Sequence, residues 1–379
     1  MLFYPFEMKI GLILFIGGVN YAILTTALLL NILDNIVDNG LYLGFRDFFN
    51  TTHKDCVWRN TFKDHKLCTK DVKIWLYSNG AEELINPTND QWLVNSKHWD
   101  KRKENIIFIH GYAGGDNSPP TLLMRDAFIQ NGQYNFFMID YGPVGRAPCY
   151  VSLVQNIKYV SNCVASYLRN FINSGMHKRS ITCIGHSMGA HGCGLLRRYL
   201  GFRINKIIGL DAALPLILNS NRLSWRDAYL VQTIQTNAGY YGDVGTIGHS
   251  DVCVNNGNIQ PFCANSQNPN LCSHLYALCF IAQSLFDHEH HMQAKRCKAT
   301  CPHLSIFQIG QLLQNPSDHS TINENTIGSD APENILIGMN MSSSARGSYC
   351  LSAAERPFCS MNKNKIGSRR CCSLTNMFT

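Results

Sequence analysis

Runs dominated by apolar residues at positions 72–77, 105–112, 135–141, 179–184 and 207–213 predict buried strands of a sheet covered on both faces. Between them the period changes. Val151, Val154, Ile157, Val160, Val164, Leu168 and Phe171 recur at spacings of three and four, which is one apolar face of a helix. Residues 189–200 and 275–280 read as further helices. Strands alternating with helices predict an α/β fold with a mostly parallel central sheet. Ahead of this pattern an apolar run extends from Ile10 to Leu33, interrupted by Asn20 and Asn31. Lys9 precedes the run, and Asp34 and Asp38 follow it, so the start is expected on the cytosolic side. The run reads as a cleaved signal peptide or, being longer than a usual signal core, as an uncleaved anchor.

One junction in this pattern carries chemistry. The strand at 179–184 runs into Gly185-His186-Ser187-Met188-Gly189, and a helix follows at once. Strand, sharp turn and helix are the context in which G-x-S-x-G presents a nucleophilic serine above a helix amino terminus. A serine needs a base, and the base needs an orienting acid. The strand at 207–210 ends in Asp211, and His274 precedes the apolar helix at 275–280, where it reads as a loop-to-helix junction. The chain order Ser187, Asp211, His274 is that of an α/β-hydrolase. His274 would take the serine proton and return it to the leaving group, and Asp211 would hold the imidazole tautomer. The strand at 105–109 runs into His110-Gly111-Tyr112 and a glycine-rich loop. That loop nominates the backbone N–H of Tyr112, with that of Met188, as an oxyanion hole.

These blocks, in this order, resemble the pancreatic-lipase-like family, in particular its arthropod branch that includes the wasp venom phospholipases A1. Further matching blocks are Gly209-Leu210-Asp211, Arg222-Leu223-Ser224, Gly248-His249 with Asp251, Asn255-Asn256-Gly257, Cys272-Ser273-His274 and Arg346-Gly347-Ser348-Tyr349. Ala212, Gln235, Cys253 and Phe262 depart from the family pattern, which bears on pocket shape and disulfide pairing and leaves the three catalytic positions intact. The resemblance implies an α/β-hydrolase fold acting on lipid esters at a membrane, micelle or droplet surface, with no cofactor or metal. It implies a lid closed by Cys263 and Cys272. Local spacing together with the resemblance suggests the pairs Cys263–Cys272, Cys297–Cys301, Cys350–Cys359 and Cys56–Cys68, while Cys163, Cys183 and Cys193 read as core positions, some of them free buried thiols. The expected organisation is residues 1–33 as signal or anchor, 34–71 as a cysteine-containing lead segment, 72–360 as the lipase domain and 361–379 as a short tail. No carboxy-terminal β-sandwich is expected, and hence no colipase partner.

Composition sharpens the compartment. The chain of 379 residues holds 16 cysteines with no paired C-x-x-C spacing for a metal, so disulfides in an oxidising compartment are the expectation. Sequons at Asn50 and Asn340 agree with secretion. A net charge of +7 reads as scattered, solvated lysines and arginines, with an anionic lipid surface as the other reading. No basic block interleaved with aromatics suggests nucleic acid. Three functions stay open: a phospholipase A1 acting at the sn-1 ester, a triacylglycerol or neutral-lipid lipase, and a non-catalytic yolk-type lipid binder. The loop at 264–271 is short, polar and contains a proline, which favours the first.

Overall fold

The computed structural model describes residues 56–89, 91–286, 292–298, 301, 331–359 and 366–374. The signal or anchor at 1–33, the start of the lead segment and Asn50 lie outside the described residues. The strands are β1 (Lys73–Ser78), β2 (Ala81–Leu84), β3 (Asn105–Ile109), β4 (Asn135–Asp140), β5 (Ile181–His186), β6 (Ile204–Leu210), β7 (Ala228–Gln235), β8 (Ser250–Val254), β9 (Gln293–Arg296), β10 (Asn334–Leu336) and β11 (Gly347–Leu351). They form one sheet in the order β10-β9-β11-β8-β7-β6-β5-β3-β4-β1-β2. From β4 through β3, β5, β6, β7 and β8 to β11 every neighbour is parallel, and β1, β2, β9 and β10 add antiparallel margins.

The continuous apolar runs follow from this topology. In β3, Ile107 and Ile109 join one core cluster and Ile106 and Phe108 join the other, so both faces are buried. The first cluster packs under helices α2 (Tyr150–Asn173) and α3 (Met188–Leu200). The second packs under α1 (Pro119–Asn131) and α4 (Pro269–Ser284). Along α2 the expected stripe is buried from Val154 to Phe171, with Val151 half-buried at its start. A last helix, α5 (Ile366–Ser373), contacts α1 and α4.

The disulfide pattern corrects the pairing expected from local spacing. Cys263–Cys272 is present, but the other pairs are Cys56–Cys149, Cys68–Cys163, Cys183–Cys193, Cys253–Cys301, Cys279–Cys371, Cys297–Cys350 and Cys359–Cys372. Thus Cys56–Cys68, Cys297–Cys301 and Cys350–Cys359 do not form, and Cys163, Cys183 and Cys193 are not free. The reason is geometric: a bridge needs two Cα atoms about 5.5 Å apart, and element packing meets that need across long separations. Cys68 and Cys163 are 95 residues apart in sequence, yet their Cα atoms are 5.4 Å apart. The lead segment is tied to α2 and its entry through Cys56 and Cys68, and the tail to α4 through Cys371. Mass mapping without reduction is expected to recover the Cys56–Cys149 and Cys68–Cys163 peptides. Closing loops of this length should contribute about 4.7 kcal/mol each in the chain-entropy picture, so reductant should lower the melting temperature sharply. A Cys56–Cys68 peptide, or a melting temperature indifferent to reductant, would contradict this arrangement.

Candidate active site

The candidate nucleophile sits where β5 turns into α3. Ser187 has φ 55° and ψ −121°, outside the regions open to an ordinary side chain, and its N–H donates to Leu210 O at 2.9 Å. The motif glycines are required by crowding. A Cβ on Gly189 would overlap the carbonyl oxygen of Ile109, and one on Gly185 would overlap the Gly189 carbonyl. Gly189→Ala is therefore expected to destabilise the fold by about 3 kcal/mol or to prevent folding. Chemical denaturation checks it, and a change under about 0.5 kcal/mol would contradict the close approach.

Asp211 stands one residue past β6, fully buried, with φ 41°. Its Oδ1 accepts the backbone N–H of Thr236 at 2.7 Å and of Asn237 at 2.9 Å. Its Oδ2 lies 2.6 Å from His274 Nδ1. A carboxylate can only accept, so Nδ1 carries the proton and Nε2 is left as the acceptor. The structure places His274 in the second turn of α4, which begins at Pro269, and not at a loop-to-helix junction. The Asn268 side chain caps this helix by accepting from Leu271 N, which extends it into the loop closed by Cys263–Cys272. His186 adjoins Ser187, and its ring lies 4.6 Å from that of His274 while its Nε2 meets His274 O at 3.1 Å. Burial, with the nearby His274 second, holds His186 well below the usual imidazole range, so it stays neutral beside the candidate base.

The loop after β3 passes directly by the serine: a Cβ on Gly111 would stand 2.9 Å from Ser187 Cβ. His110 is buried, stacks on Tyr141 at 4.0 Å, and its Nδ1 meets Gly111 O at 2.7 Å. This fixes the backbone path leading to Tyr112. Met188 opens α3, where amides have no intrahelical acceptor.

Residues 237–242 form a contribution that the sequence did not disclose. A Cβ on Gly242 would stand 2.5 Å from Asp211 Oδ1, so bare backbone covers the carboxylate. Tyr241 stacks on the His274 ring at 5.5 Å, and Asn237 Oδ1 accepts from Tyr241 N. Only the two glycines in Asn237-Ala238-Gly239-Tyr240-Tyr241-Gly242 signalled a tight turn there. Of the departures from the family pattern, Gln235 is buried and donates to Gly245 O at 3.2 Å, and Cys253 is bonded to Cys301. Asn340 is exposed, with its Nδ2 donating to Ser284 O.

His191, one turn into α3, is a second neutral histidine. Its Nε2 donates to Ala213 O at 2.7 Å and its Nδ1 accepts from Leu223 N at 3.0 Å. Burial pushes its pKa down to about 4, against about 6.5 when unfolded. The unfolded chain therefore binds the extra proton between these values, and stability is lost as pH falls from about 6.5 to about 4. Asp243, buried and raised to about 6, acts with the opposite sign over part of that window. Comparing melts of parent and His191→Gln isolates the histidine: the variant should lose less stability between pH 7 and pH 4.5, and parallel curves would refute its role.

A serine on a strained strand–helix turn, an aspartate past the next strand and a histidine bonded to it define an α/β-hydrolase. The model of the Lipase family matches residues 47–300, more than half of the chain, and the chain belongs to that family. It is 25% identical over 197 residues to Lipase member H-A of Xenopus laevis, covering 51% of this chain and 43% of that protein. It is 28% identical over 230 residues to Phospholipase A1 member A of Mus musculus, covering 58% of this chain and 46% of the relative. It is 28% identical over 237 residues to a phospholipase A1 of the wasp Vespa tropica, covering 55% and 78%. The chain thus spans under half the length of these two vertebrate relatives.

Proposed function

We propose that the protein is a secreted phospholipase A1, cleaving the sn-1 acyl ester of glycerophospholipids through an acyl-enzyme. The observation that carries hydrolysis is the His274 Nδ1–Asp211 Oδ2 contact of 2.6 Å beside the strained Ser187 turn. Ser187 Oγ attacks the ester carbonyl carbon while its proton passes to His274 Nε2. The amides of Tyr112 and Met188 hold the developing oxyanion. Collapse breaks the acyl–oxygen bond, and His274 returns the proton to the departing glycerol oxygen. Water, deprotonated by the same His274, then releases the fatty acid.

The phospholipid preference rests on the loop between Cys263 and Cys272. Ala264, Asn265 and Gln267 are exposed, while Leu271, the one large apolar side chain in the loop, is half-buried and packs into the core. Phe262, just before the bridge, packs on Tyr276 at 4.5 Å. Such a loop offers no amphipathic face to seal an apolar pocket against water. Exposed apolar side chains occur instead at Leu216, Leu218 and Tyr240, in the segments that follow Asp211 and Asn237. These are suited to meeting a lipid surface. Secretion fits the pairing of all 16 cysteines.

The test compares phosphatidylcholine vesicles with emulsified triacylglycerol. Release of the sn-1 fatty acid, without a jump in rate when substrate forms an interface, is the expected result. Preference for emulsified triacylglycerol with interfacial activation would overturn the phospholipid reading, and activity on neither would leave the non-catalytic lipid binder. Leu216→Ser with Leu218→Ser should lower the rate on vesicles about thirtyfold or more, since each removes an exposed apolar side chain worth about 1–2 kcal/mol at a lipid surface. A soluble short-chain ester should be cleaved at the parent rate. Equal losses on both substrates would refute a surface role.

A further inference from the structure

The net positive charge is not evenly scattered. Residues 101–104 precede β3, Arg179 and Ser180 precede β5, Lys206 lies near the start of β6, Tyr229 near that of β7, and Arg346 precedes β11. These strands are mutually parallel in one sheet, so all of these residues gather at its amino edge, around a cavity of about 610 Å³. Glu104 is its one acidic lining residue, and its carboxylate is engaged by the Thr182 hydroxyl. The candidate active site occupies the carboxyl ends of the same strands, roughly 20 Å away along strands of six residues.

We propose that this cavity binds the sulfate or phosphate ester groups of a water-soluble, sugar-sized ligand, held by Lys101, Arg179, Lys206 and Arg346. The cavity is open to solvent along one side, and its volume lies in the range of small-molecule clefts. The cations are partly preset. The Arg179 guanidinium lies 3.4 Å from the centre of the Tyr229 ring, and Arg346 Nη1 is fixed by Ser343 O and Ala345 O at 2.8 and 2.7 Å. Both leave guanidinium N–H groups for a planar pair of anionic oxygens. The Lys206 ammonium makes no hydrogen bond or ion pair among the described residues; burial lowers its pKa against the opposing pull of the Glu104 charge, and an incoming anion would raise it further. Lys101 and Arg346 sit on loops, so compensation of helix carboxyl ends does not account for the cluster. A membrane is disfavoured as the occupant. Of the exposed apolar residues, Leu216, Leu218 and Tyr240 lie at the opposite, carboxyl end, while Tyr229, the exposed one in the cavity lining, has its ring covered by the Arg179 guanidinium, and a lipid surface cannot cover both ends of the sheet. Hydrophilic partners in the cavity lining, the Ser343 hydroxyl and the Asn205 amide, suit sugar hydroxyls, while the Ser180 hydroxyl is already engaged by His177 O and Asn105 Nδ2.

The experiment is lysine acetylation of the parent protein, read by mass spectrometry, with a sulfated disaccharide, a hexose bisphosphate, inorganic sulfate or phosphatidylserine-containing vesicles present. At least one anionic sugar should slow labelling of Lys101 and Lys206 severalfold while leaving the exposed Lys63 and Lys66 unchanged, and the stronger of the two identifies the ester. Binding by Arg179→Ser/Arg346→Ser should be about a hundredfold weaker than by the parent, as loss of two charged contacts predicts. Lys63→Gln/Lys66→Gln, which removes the same charge elsewhere, should bind as the parent does. If the arginine variant does not fold, the footprint on the parent decides alone. The proposal fails if neither sugar protects these lysines, if inorganic sulfate protects as well as the sugars, if vesicles protect instead, or if both variants lose affinity equally.

Discussion

Ser187→Ala is expected to lower ester hydrolysis by about ten-thousand-fold or more while leaving the melting temperature unchanged or higher. The side chain removed is a single hydroxyl, and Ser187 holds a strained backbone at φ 55° for reasons of presentation. Nothing in the core depends on the oxygen, so stability and catalysis should separate. A fluorophosphonate ester should label the parent at Ser187 and leave the variant unlabelled. Retained activity, or labelling elsewhere, would remove Ser187 from the mechanism.

Asp211→Asn should be nearly as damaging, with a loss of about ten-thousand-fold, for a different reason. Oδ1 accepts two backbone amides, so the amide oxygen of an introduced asparagine must stay there, and its NH₂ must face His274 Nδ1. That nitrogen would have to become an acceptor, which moves the ring proton to Nε2, the atom that should receive the serine proton. Steady-state kinetics check the loss. Raising the pH should not restore the rate, because the fault is the tautomer and not the ionisation state. A variant within tenfold of the parent would show that Asp211 does not set the tautomer.

The parts of this arrangement visible in the sequence are those written in side chains on fully buried strands. β3, β4 and β5 bury both faces, so their apolar runs stand out, and the turn after β5 is marked by two glycines that crowding demands. β9, with Gln293, Lys295 and Arg296 around one buried alanine, has no such signature. The start of β6 was missed because Asn205 and Lys206 lie half-buried at the sheet's edge. The start of α4 is written in the sequence, since Asn268 followed by Pro269 is a cap-and-first-turn signal that places the helix start ahead of His274. Cysteine pairing was not legible, because sequence spacing says little about which Cα atoms packing brings together. Tyr241 and Gly242 act through a ring face and a bare backbone, and neither belongs to a motif.

The Asp211 carboxylate is held by main chain alone, apart from its contact with His274: two amides grip one oxygen and a glycine covers the group. Its support is therefore silent to most mutation. Thr236 presents its N–H whatever small side chain it carries, and at that position only proline, lacking the hydrogen, would remove the bond, whereas Asn237 also holds the turn through its side-chain bonds to Tyr241 N and Asn270 Oδ1. Such a support would let neighbouring side chains, that of Ala212 among them, change without moving the carboxylate. Drift at these positions should leave the chemistry in place and fall instead on the shape of the surrounding pocket.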